Sequence, residues 1–313
     1  MSKRFAITGV GGYIAPRHLE AIKATGNELV AACDPNDSVG IMDRYFYEAA
    51  YFKEFERFDR HLDKLRRAGE GIDFMTVCSP NYLHDAHIRL ALRLGADAIC
   101  EKPLVLNPWN IDALEELAEE YKQKVYTILQ LRVHPAIIAL REKVRKEKRK
   151  KKYKIDLTYL TSRGGWYLVS WKGDIEKSGG LATNIGIHFF DMLSWIFGKV
   201  QKQEVHYSDE KSVGGYLELE KAEVSWFLSI DRKNLPKNAT GSTYRSIMID
   251  GEEFEFSEGF TDLHTRVYEE TLNGNGFVAG DTREAIKLAH DIRTSPVIGV
   301  KDYSHPILKK LSK

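Results

Sequence analysis

The chain has 313 residues, of which 43% are hydrophobic and 29% are charged, and its formal net charge is +1. That length suits two domains better than one small core. A charge near zero provides no overall field toward nucleic acid or a membrane surface, and no apolar run is long enough to span a bilayer. Because the first residues lack a signal-peptide pattern, we expect a cytoplasmic protein with no membrane or nucleic-acid partner.

The first half of the chain alternates short strands with helices. Repeated strand–helix units joined by short turns predict a parallel sheet with helices on both faces, and right-handed crossovers make it doubly wound. We therefore expect an N-terminal Rossmann domain over residues 1–130. The predicted strands are Arg4–Thr8, Glu28–Cys33, Asp73–Cys78, Ala98–Cys100 and Val125–Gln130. The predicted helices are Pro16–Thr25, Phe58–Ala68, Tyr82–Leu94 and Asn110–Tyr121.

The pattern changes after about residue 131, where long strand-like stretches predominate. They predict a C-terminal α+β domain over residues 131–313, with an open, mostly antiparallel sheet that binds substrate and mediates oligomerisation. Asp250-Gly251 is a hairpin signal within it. The predicted strands are Lys154–Arg163, Gln203–Ser208, Tyr216–Leu219, Ala222–Ile230, Arg245–Asp250 and Glu253–Phe256. Helices are predicted within Gly179–Phe197 and over Arg283–Arg293.

Two features of the sequence could indicate a disulfide framework, a metal site or a nucleic-acid-binding surface, and we favour none of these. Cys33, Cys78 and Cys100 are odd in number and widely spaced, which fits neither a disulfide framework nor a metal site, so we expect buried thiols and no metal. The basic run Arg145–Lys152 could contact nucleic acid. It contains no aromatic residues, however, and a solvated helix end before a strand is the better interpretation.

A glycine-rich turn follows the first strand and opens the first helix. Such glycines let the backbone approach a pyrophosphate bound at the helix N-terminus. Ile14 stands where a strict GxGxxG pattern has its third glycine, so Gly9-x-x-Gly12-x-x-Ala15 fits better. A turn that merely connects strand and helix is the alternative.

Asp34, at the end of the second strand, strengthens the prediction of a dinucleotide site. A carboxylate there can hydrogen-bond the ribose hydroxyls and would repel a 2′-phosphate, which favours NAD over NADP. The alternative is that Asp34 only begins a turn before Pro35. Ser79-Pro80-Asn81 follows the third strand, where ligands of such sheets gather, although it is also a good loop and helix cap.

Candidate catalytic groups come from two distant segments. Asn184 and His188 are four residues apart on a predicted helix and share one face. Lys102 lies in Glu101-Lys102-Pro103, which closes a predicted strand. A lysine and a histidine suit a site where an alcohol loses a proton. The alternative for His188 is a core histidine satisfied by backbone groups.

These motifs, in this order, resemble the Gfo/Idh/MocA family, which includes glucose–fructose oxidoreductase and inositol dehydrogenase. The resemblance covers nearly the whole chain and rests on the glycine-rich start, Ser79 to His84, Glu101-Lys102-Pro103, and Gly179-Gly180 running to His188. It implies an NAD-dependent dehydrogenase with dimers or tetramers formed through the second sheet, and we expect a homotetramer. The implied cofactor-binding residues are Gly9, Gly12, Tyr13, Ile14, Asp34, Ser79, Pro80, Asn81, His84, Glu101, Lys102 and Gln130.

A narrower resemblance is to the WlbA/WbpB branch of the family, carried by Gly12 to His18, Ser162-Arg163-Gly164, Trp171 to Asp174 and Thr183-Asn184. It implies oxidation of the 3-hydroxyl of UDP-N-acetylglucosaminuronic acid for a surface polysaccharide such as the O-antigen of lipopolysaccharide. Several members of the branch reoxidise NADH with 2-oxoglutarate, which is therefore a candidate co-substrate here, the alternative being that NADH leaves after each turnover. The implied catalytic residues are Lys102 and His188, and the substrate-binding residues are Lys102, Arg163, Tyr167, Asn184 and His188.

The position of Asn184 departs from the common family pattern, which has an aspartate four residues before the histidine. A Lys-Asp-His relay cannot be assumed, but an amide can still hold a sugar hydroxyl as donor and acceptor. His188 is our first choice for the base and Lys102 for the group that stabilises the alkoxide, and these roles could be exchanged. Weaker substrate candidates from the predicted second domain are Tyr244, Arg245, His264 and Tyr268.

Two other functions remain open at this stage. The chain could be a different sugar or inositol dehydrogenase of the same family, which a substrate panel would distinguish. It could also be a nucleotide-binding sensor that has lost catalysis. Retention of both Lys102 and His188 argues against the sensor.

Overall fold

The computed structural model describes residues 2–237, 241–256 and 260–311. The chain divides into two compact units. Unit 1 comprises Met1–Val133 and Thr261–Arg283, and unit 2 comprises His134–Phe260 and Glu284–Lys313. The first boundary lies close to the predicted one at residue 130. Residues 261–283, which we predicted in the second domain, instead return to unit 1.

Twelve strands and twelve helices are present in the described residues. The strands are β1 (Arg4–Thr8), β2 (Glu28–Cys33), β3 (Ala50–Phe52), β4 (Phe74–Val77), β5 (Asp97–Cys100), β6 (Val125–Thr127), β7 (Tyr153–Thr161), β8 (Val200–Ser208), β9 (Ser212–Leu219), β10 (Ala222–Ser229), β11 (Thr243–Ile249) and β12 (Glu252–Glu253). The helices are α1 (Ala15–Ala24), α2 (Ile41–Tyr45), α3 (Phe55–Arg67), α4 (His84–Arg93), α5 (Pro108–Tyr121), α6 (Pro135–Lys146), α7 (Trp166–Val169), α8 (Ile175–Ser178), α9 (Ile187–Phe197), α10 (Leu263–Leu272), α11 (Arg283–Thr294) and α12 (Pro306–Leu311).

The sheet of unit 1 is a six-stranded parallel sheet in the order β3-β2-β1-β4-β5-β6. This is the predicted Rossmann domain, with β1 at the centre. Two short elements, α2 and β3, were not predicted. Each has five residues or fewer, which is too short for a helical or alternating hydrophobic pattern to stand out.

The return of α10 to unit 1 has a packing reason. Val267 and Tyr268 are fully buried in the same hydrophobic cluster as Phe5 and Leu19. The Tyr268 ring stacks on Phe5 with centroids 6.0 Å apart. Burying side chains of this size contributes roughly 1.5–3 kcal/mol each, so this helix is part of the core of unit 1.

Unit 2 contains a six-stranded mixed sheet in the order β12-β11-β7-β10-β9-β8. Among the described strands, four neighbouring pairs are antiparallel and one pair, β7 with β10, is parallel. The predicted open, mostly antiparallel sheet is therefore confirmed. The predicted hairpin is also present, since Asp250 and Gly251 have φ of +54° and +89° and Ile249 pairs with Glu252.

The basic run forms the end of a helix and the entry to a strand. Helix α6 ends at Lys146, and β7 begins at Tyr153. Arg149 donates both guanidinium ends to Asp250 at 2.6 and 3.1 Å, and Lys152 donates to Glu218 at 2.7 Å. Two of the run's cations are thus engaged with acidic side chains of unit 2.

The three cysteines are buried free thiols, as predicted. Burial raises the pKa of Cys33 to about 11 and the pKa values of Cys78 and Cys100 well above the usual range. They are therefore protonated and unreactive at neutral pH. Over the residues that the structure describes, no helix combines the length and apolarity needed to cross a membrane.

His87 in unit 1 and His305 in unit 2 are buried histidines that make stability depend on pH. Burial lowers the pKa of His87 and of His305 to about 4, while the unfolded chain takes up a proton near 6.5. The unfolded state therefore binds more protons as the pH falls below 6.5, and the free energy of unfolding drops. Each histidine accounts for about 2 kcal/mol between neutral pH and about pH 5.

Replacing His305 with glutamine tests this expectation, because an amide N–H can still donate to Thr158, which lies 2.9 Å from the imidazole. We expect His305→Gln to flatten the pH dependence of the free energy of unfolding, measured by urea denaturation. His290→Gln, at a half-buried position of α11, is the control. An unchanged slope in His305→Gln would show that this histidine does not contribute.

Candidate active site

The glycine turn after β1 brings two backbone segments into close approach. Gly9 has φ of +79° and donates its N–H to the Cys33 carbonyl at 2.8 Å. A Cβ atom on Gly9 would lie 2.5 Å from the Cys78 carbonyl carbon, and one on Gly11 would lie 3.2 Å from the Asp34 carboxylate. Side chains are thus excluded from the place where a dinucleotide backbone would lie, at the carboxyl ends of β1 and β4.

Asp34 is held beside this turn by backbone donors. One carboxylate oxygen accepts the Gly11 N–H at 2.9 Å, and the other accepts the Asn36 N–H at 2.9 Å. The Tyr51 hydroxyl donates to the Asp34 carbonyl at 2.7 Å. Gly11 was missing from the predicted site, although its place two residues after Gly9 was the available signal.

Helix α1 presents its N-terminus directly after the turn. Gly12 donates to the Gly9 carbonyl at 3.0 Å, and the helix begins at Ala15 with Pro16 in its first turn. Tyr13 is 95% exposed. A helix N-terminus, glycines without side chains and a carboxylate at the end of β2 together fit a dinucleotide, which would place its pyrophosphate at α1 and its adenosine ribose at Asp34.

Replacing Asp34 with serine is expected to weaken NAD binding. Losing charge-assisted hydrogen bonds worth about 1.5–3 kcal/mol raises the Kd for NAD about 10-fold to 100-fold. Discrimination against NADP should fall as well, since the repelling charge is gone. Titration of protein fluorescence with each cofactor measures both effects. Asp37→Ser, at an exposed acid three residues on, is the control, and equal Kd values for Asp34→Ser and wild type would contradict the assignment.

The loop after β4 is held by two buried histidines. His84 has its ring nitrogens 2.8 Å from the carbonyl oxygens of Pro103 and Ser79, so it ties this loop to the one after β5. The Ser79 hydroxyl lies 2.9 Å from His87 Nδ1. His84 was predicted to bind the cofactor. Both of its ring nitrogens face backbone carbonyls, so His84 supports the loop, and its contact with the cofactor stays a prediction.

Lys102 lies half-buried between two buried neighbours, Glu101 and Pro103, and the Lys102–Pro103 peptide bond is cis. The Glu101 carboxylate accepts hydrogen bonds from His18 at 2.9 Å and His264 at 3.0 Å. Glu101 is therefore engaged inside unit 1, and its predicted contact with cofactor remains a proposal.

The sequence analysis placed His264 and Tyr268 in the second domain as weaker substrate candidates. The structure places both residues in unit 1. Both lie on α10 in unit 1 and are buried. The other two weak candidates, Tyr244 and Arg245, do lie in unit 2, on β11. The Arg245 guanidinium stacks over the Phe260 ring at 4.5 Å.

Asn184 and His188 lie where a π-helical turn meets an α-helix. Residues Ala182–Gly186 form the π turn and α9 follows at once. From Leu181 to Phe190 only Leu181, Asn184 and His188 are partly exposed, so the amide and the imidazole share the accessible side as predicted. The π turn itself was not predicted, because its sequence has no period of its own.

The loop after β7 supports Asn184. The Asn184 amide donates to the Tyr167 hydroxyl at 2.6 Å, and Tyr167 is buried. Burial raises the pKa of Tyr167, so its hydroxyl stays protonated. Arg163 is exposed, and Trp166 is 54% exposed with its ring against Tyr167. An exposed guanidinium beside these groups can meet an anionic ligand.

Each unit contributes part of the predicted set. Lys102 and Gln130 belong to unit 1, with Gln130 opening a 3₁₀ turn after β6. Arg163, Asn184 and His188 belong to unit 2. Within unit 1 the residues suit binding a dinucleotide, and within unit 2 they offer an amide, an imidazole and a guanidinium for a polar, anionic ligand.

The whole chain is similar to a solved dehydrogenase. The WlbA (WbpB) dehydrogenase from Thermus thermophilus, in complex with NAD and alpha-ketoglutarate, is 53% identical with a TM-score of 0.94, over 98% of this chain and 100% of that chain. The same dehydrogenase in complex with NAD and UDP-GlcNAcA matches at 52% identity and the same TM-score.

Curated relatives match more distantly. An oxidoreductase from Cordyceps militaris is 30% identical over 59% of this chain and 23% of its own length. Inositol 2-dehydrogenase from Rhizobium meliloti is 26% identical over 64% of this chain and 56% of its own length. The matched stretch is thus less than two thirds of these relatives.

Two family domains cover most of the chain. Residues 3–129 match the "Oxidoreductase family, NAD-binding Rossmann fold" domain, and residues 148–290 match the "Oxidoreductase family, C-terminal alpha/beta domain". Taken with the Rossmann sheet, the glycine turn at Asp34 and the Thermus match, they show that the chain belongs to the Gfo/Idh/MocA family of NAD-dependent oxidoreductases.

Proposed function

We propose that this protein oxidises the 3-hydroxyl of UDP-N-acetylglucosaminuronic acid to the 3-keto sugar, with NAD as the hydride acceptor. The observation that carries the proposal is the 52% identity, over the full length of that chain, to a dehydrogenase solved with NAD and UDP-GlcNAcA. The retained lysine, amide and imidazole at positions 102, 184 and 188 support it.

The residues of this chain supply binding and proton chemistry. Bound NAD would accept a hydride from the sugar carbon. His188 takes the hydroxyl proton, since imidazole exchanges protons near neutral pH. Lys102 donates to the same oxygen and stabilises the charge that develops on it. The exchanged roles, with Lys102 as base, remain the alternative within this mechanism.

Substrate recognition falls to the side chains of unit 2. Arg163 can bind the uronate carboxylate or a phosphate with its planar fork of donors. Asn184, held by the Tyr167 hydroxyl at 2.6 Å, is placed to meet a sugar hydroxyl. An amide where the wider family has an aspartate avoids placing a negative charge beside an acidic sugar.

The direct test is incubation of the purified chain and NAD with UDP-N-acetylglucosaminuronic acid, with and without 2-oxoglutarate. We expect a product lacking two hydrogens and, when NADH is recycled, formation of 2-hydroxyglutarate. UDP-N-acetylglucosamine, which lacks the carboxylate, is the matched control and should react poorly. Oxidation of the control at the same rate would remove the role of Arg163 as a carboxylate ligand.

A second candidate function is oxidation of a free polyol or sugar. The match to inositol 2-dehydrogenase at 26% identity is the observation behind it. Activity on inositol or glucose, together with none on the UDP-linked hexuronate, would establish it in place of the first. The higher identity and complete coverage of the Thermus dehydrogenase favour the nucleotide sugar.

The setting of the reaction is also a proposal. We place the enzyme in the cytoplasm, as a homotetramer that supplies a 3-keto sugar to an aminotransferase in the assembly of a surface polysaccharide such as O-antigen. A 3-keto group is the acceptor that a transamination requires. Light scattering after size-exclusion chromatography tests the tetramer, and a monomeric mass would contradict it.

A further inference from the structure

A buried network of hydrogen bonds in unit 1 includes Glu101, the residue before Lys102. His18 Nε2 and His264 Nε2 lie 2.9 and 3.0 Å from the same Glu101 oxygen. His18 Nδ1 lies 2.9 Å from the Tyr268 hydroxyl, which in turn lies 2.8 Å from the Thr76 hydroxyl. All five side chains are at most 5% exposed. The set joins α1, β4, the end of β5 and α10.

The Glu101 carboxylate fixes which atom donates in each hydrogen bond of this network. An ionised carboxylate only accepts, so His18 and His264 must each carry a proton on Nε2. His18 Nδ1 is then an acceptor and receives the Tyr268 hydroxyl proton, and Tyr268 receives the Thr76 hydroxyl proton. Each donor along this path meets one acceptor, and buried polar groups paired in this way hold one another in place.

Charge considerations agree with this arrangement. Burial alone would raise the pKa of Glu101, but the hydrogen bonds and the electrostatic attraction that it receives from His18 and His264 hold that pKa well below the usual range. Burial lowers the pKa of His18 in spite of its carboxylate partner, so the imidazole is neutral. One negative charge is therefore held inside unit 1 by the neutral His18 ring and by N–H groups of His264 and the Lys102 backbone.

The second oxygen of Glu101 connects the network to Lys102. It accepts the Lys102 backbone N–H at 3.1 Å. The carboxylate thus lies between two imidazoles on one side and the lysine backbone on the other. Because α1 starts at the glycine turn, His18 also links the proposed pyrophosphate-binding helix to the Lys102 loop.

We propose that His18 and His264 are positioning residues that clamp the Glu101 carboxylate and so fix the backbone from which the Lys102 ammonium reaches the substrate oxygen. The inference rests on the proposed function for its activity readout. Helix α10, which belongs to unit 1, brings His264 to Glu101, 163 positions away in sequence.

The activity test compares leucine and glutamine at each histidine. Leucine removes the donor, whereas the glutamine amide can place an N–H near the position of Nε2. With UDP-N-acetylglucosaminuronic acid and NAD, we expect His264→Leu and His18→Leu to lower kcat about 100-fold, the cost of misplacing a reacting group by about 1 Å. KM and the Kd for NAD should change little, and His264→Gln and His18→Gln should regain most of the loss.

A double-variant cycle shows whether the effect passes through Lys102. In a Lys102→Met background, His264→Leu should cause no further loss of kcat, because the group it positions is gone. A further 100-fold loss in that background, or wild-type kcat in His264→Leu, would overturn the proposal. Inactivity of the wild-type enzyme with every sugar would instead count against the proposed function.

A spectroscopic readout needs no substrate and no leucine variant. Proton NMR of the wild-type enzyme should include two slowly exchanging imidazole N–H signals far downfield that belong to this network, and His18→Gln and His264→Gln should each remove one. The nitrogen and oxygen atoms of His18, Glu101 and His264 lie within 4.8 Å of one another and could also hold a metal ion. Stoichiometric metal with neither N–H signal would overturn the clamp.

Discussion

Replacing Lys102 with methionine is expected to lower kcat for sugar oxidation about 100-fold to 1,000-fold, the usual cost of removing one donor to a developing oxyanion. Methionine keeps an unbranched side chain of similar length but has no charge and no N–H. The Lys102 backbone is held by Glu101, and this bond does not depend on the side chain. The Kd for NAD, measured in parallel, reports whether the side chain also contacts the cofactor, as the family resemblance implies.

The measurement is stopped-flow reduction of bound NAD by UDP-N-acetylglucosaminuronic acid, followed at the NADH absorbance. Lys64→Met, at an exposed position of α3 in the same unit, is the matched control. If Lys102→Met reduced NAD as fast as Lys64→Met does, the lysine would have no part in the chemical step.

The second large effect is expected at His188. Removing a general base lowers kcat about 100-fold to 10,000-fold. His188→Gly leaves space for an added imidazole, so external imidazole should restore part of the activity if this side chain is the base. The partly exposed position of His188 on α9 gives such a molecule access.

The same design separates the two possible assignments of the base. An added alkylamine should rescue Lys102→Gly if the lysine removes the proton, and added imidazole should rescue His188→Gly if the histidine does. His290→Gly on α11 serves as the control for loss of a helical histidine in unit 2. Rescue of the lysine variant alone would reverse our preferred roles.

Local sequence signals predicted the glycine turn and the carboxylate of the proposed cofactor site. Position 9 requires a glycine because its φ is positive and because a Cβ there would overlap the Cys78 carbonyl group. Asp34 ends a strand and meets the turn through Gly11. Strand, turn and helix start are adjacent in sequence, so spacing alone predicts their proximity.

The sequence predicted less well the elements that are short or that lack a helical or alternating hydrophobic pattern. The structure has β3 and α2, which span five residues or fewer, and a π turn over Ala182–Gly186 where a helix start was predicted. Gly186 in this turn lets β10 pack closely, since a Cβ there would lie 2.6 Å from the Leu228 side chain. Leu228 lies on β10, which is distant in sequence, so the residues around Gly186 do not predict this contact.

The sequence by itself determined the alternation of strands and helices, the glycine turn, Asp34, and the motifs containing Lys102 and His188, because hydrophobic periodicity and turn chemistry act over a few residues. Only the tertiary structure decided that residues 261–283 return to unit 1 and that Glu101 lies between His18 and His264. Those partners are 83 and 163 residues away along the chain. Burial of Val267 and Tyr268 in the core of unit 1 brings His264 there, and this depends on packing between distant segments.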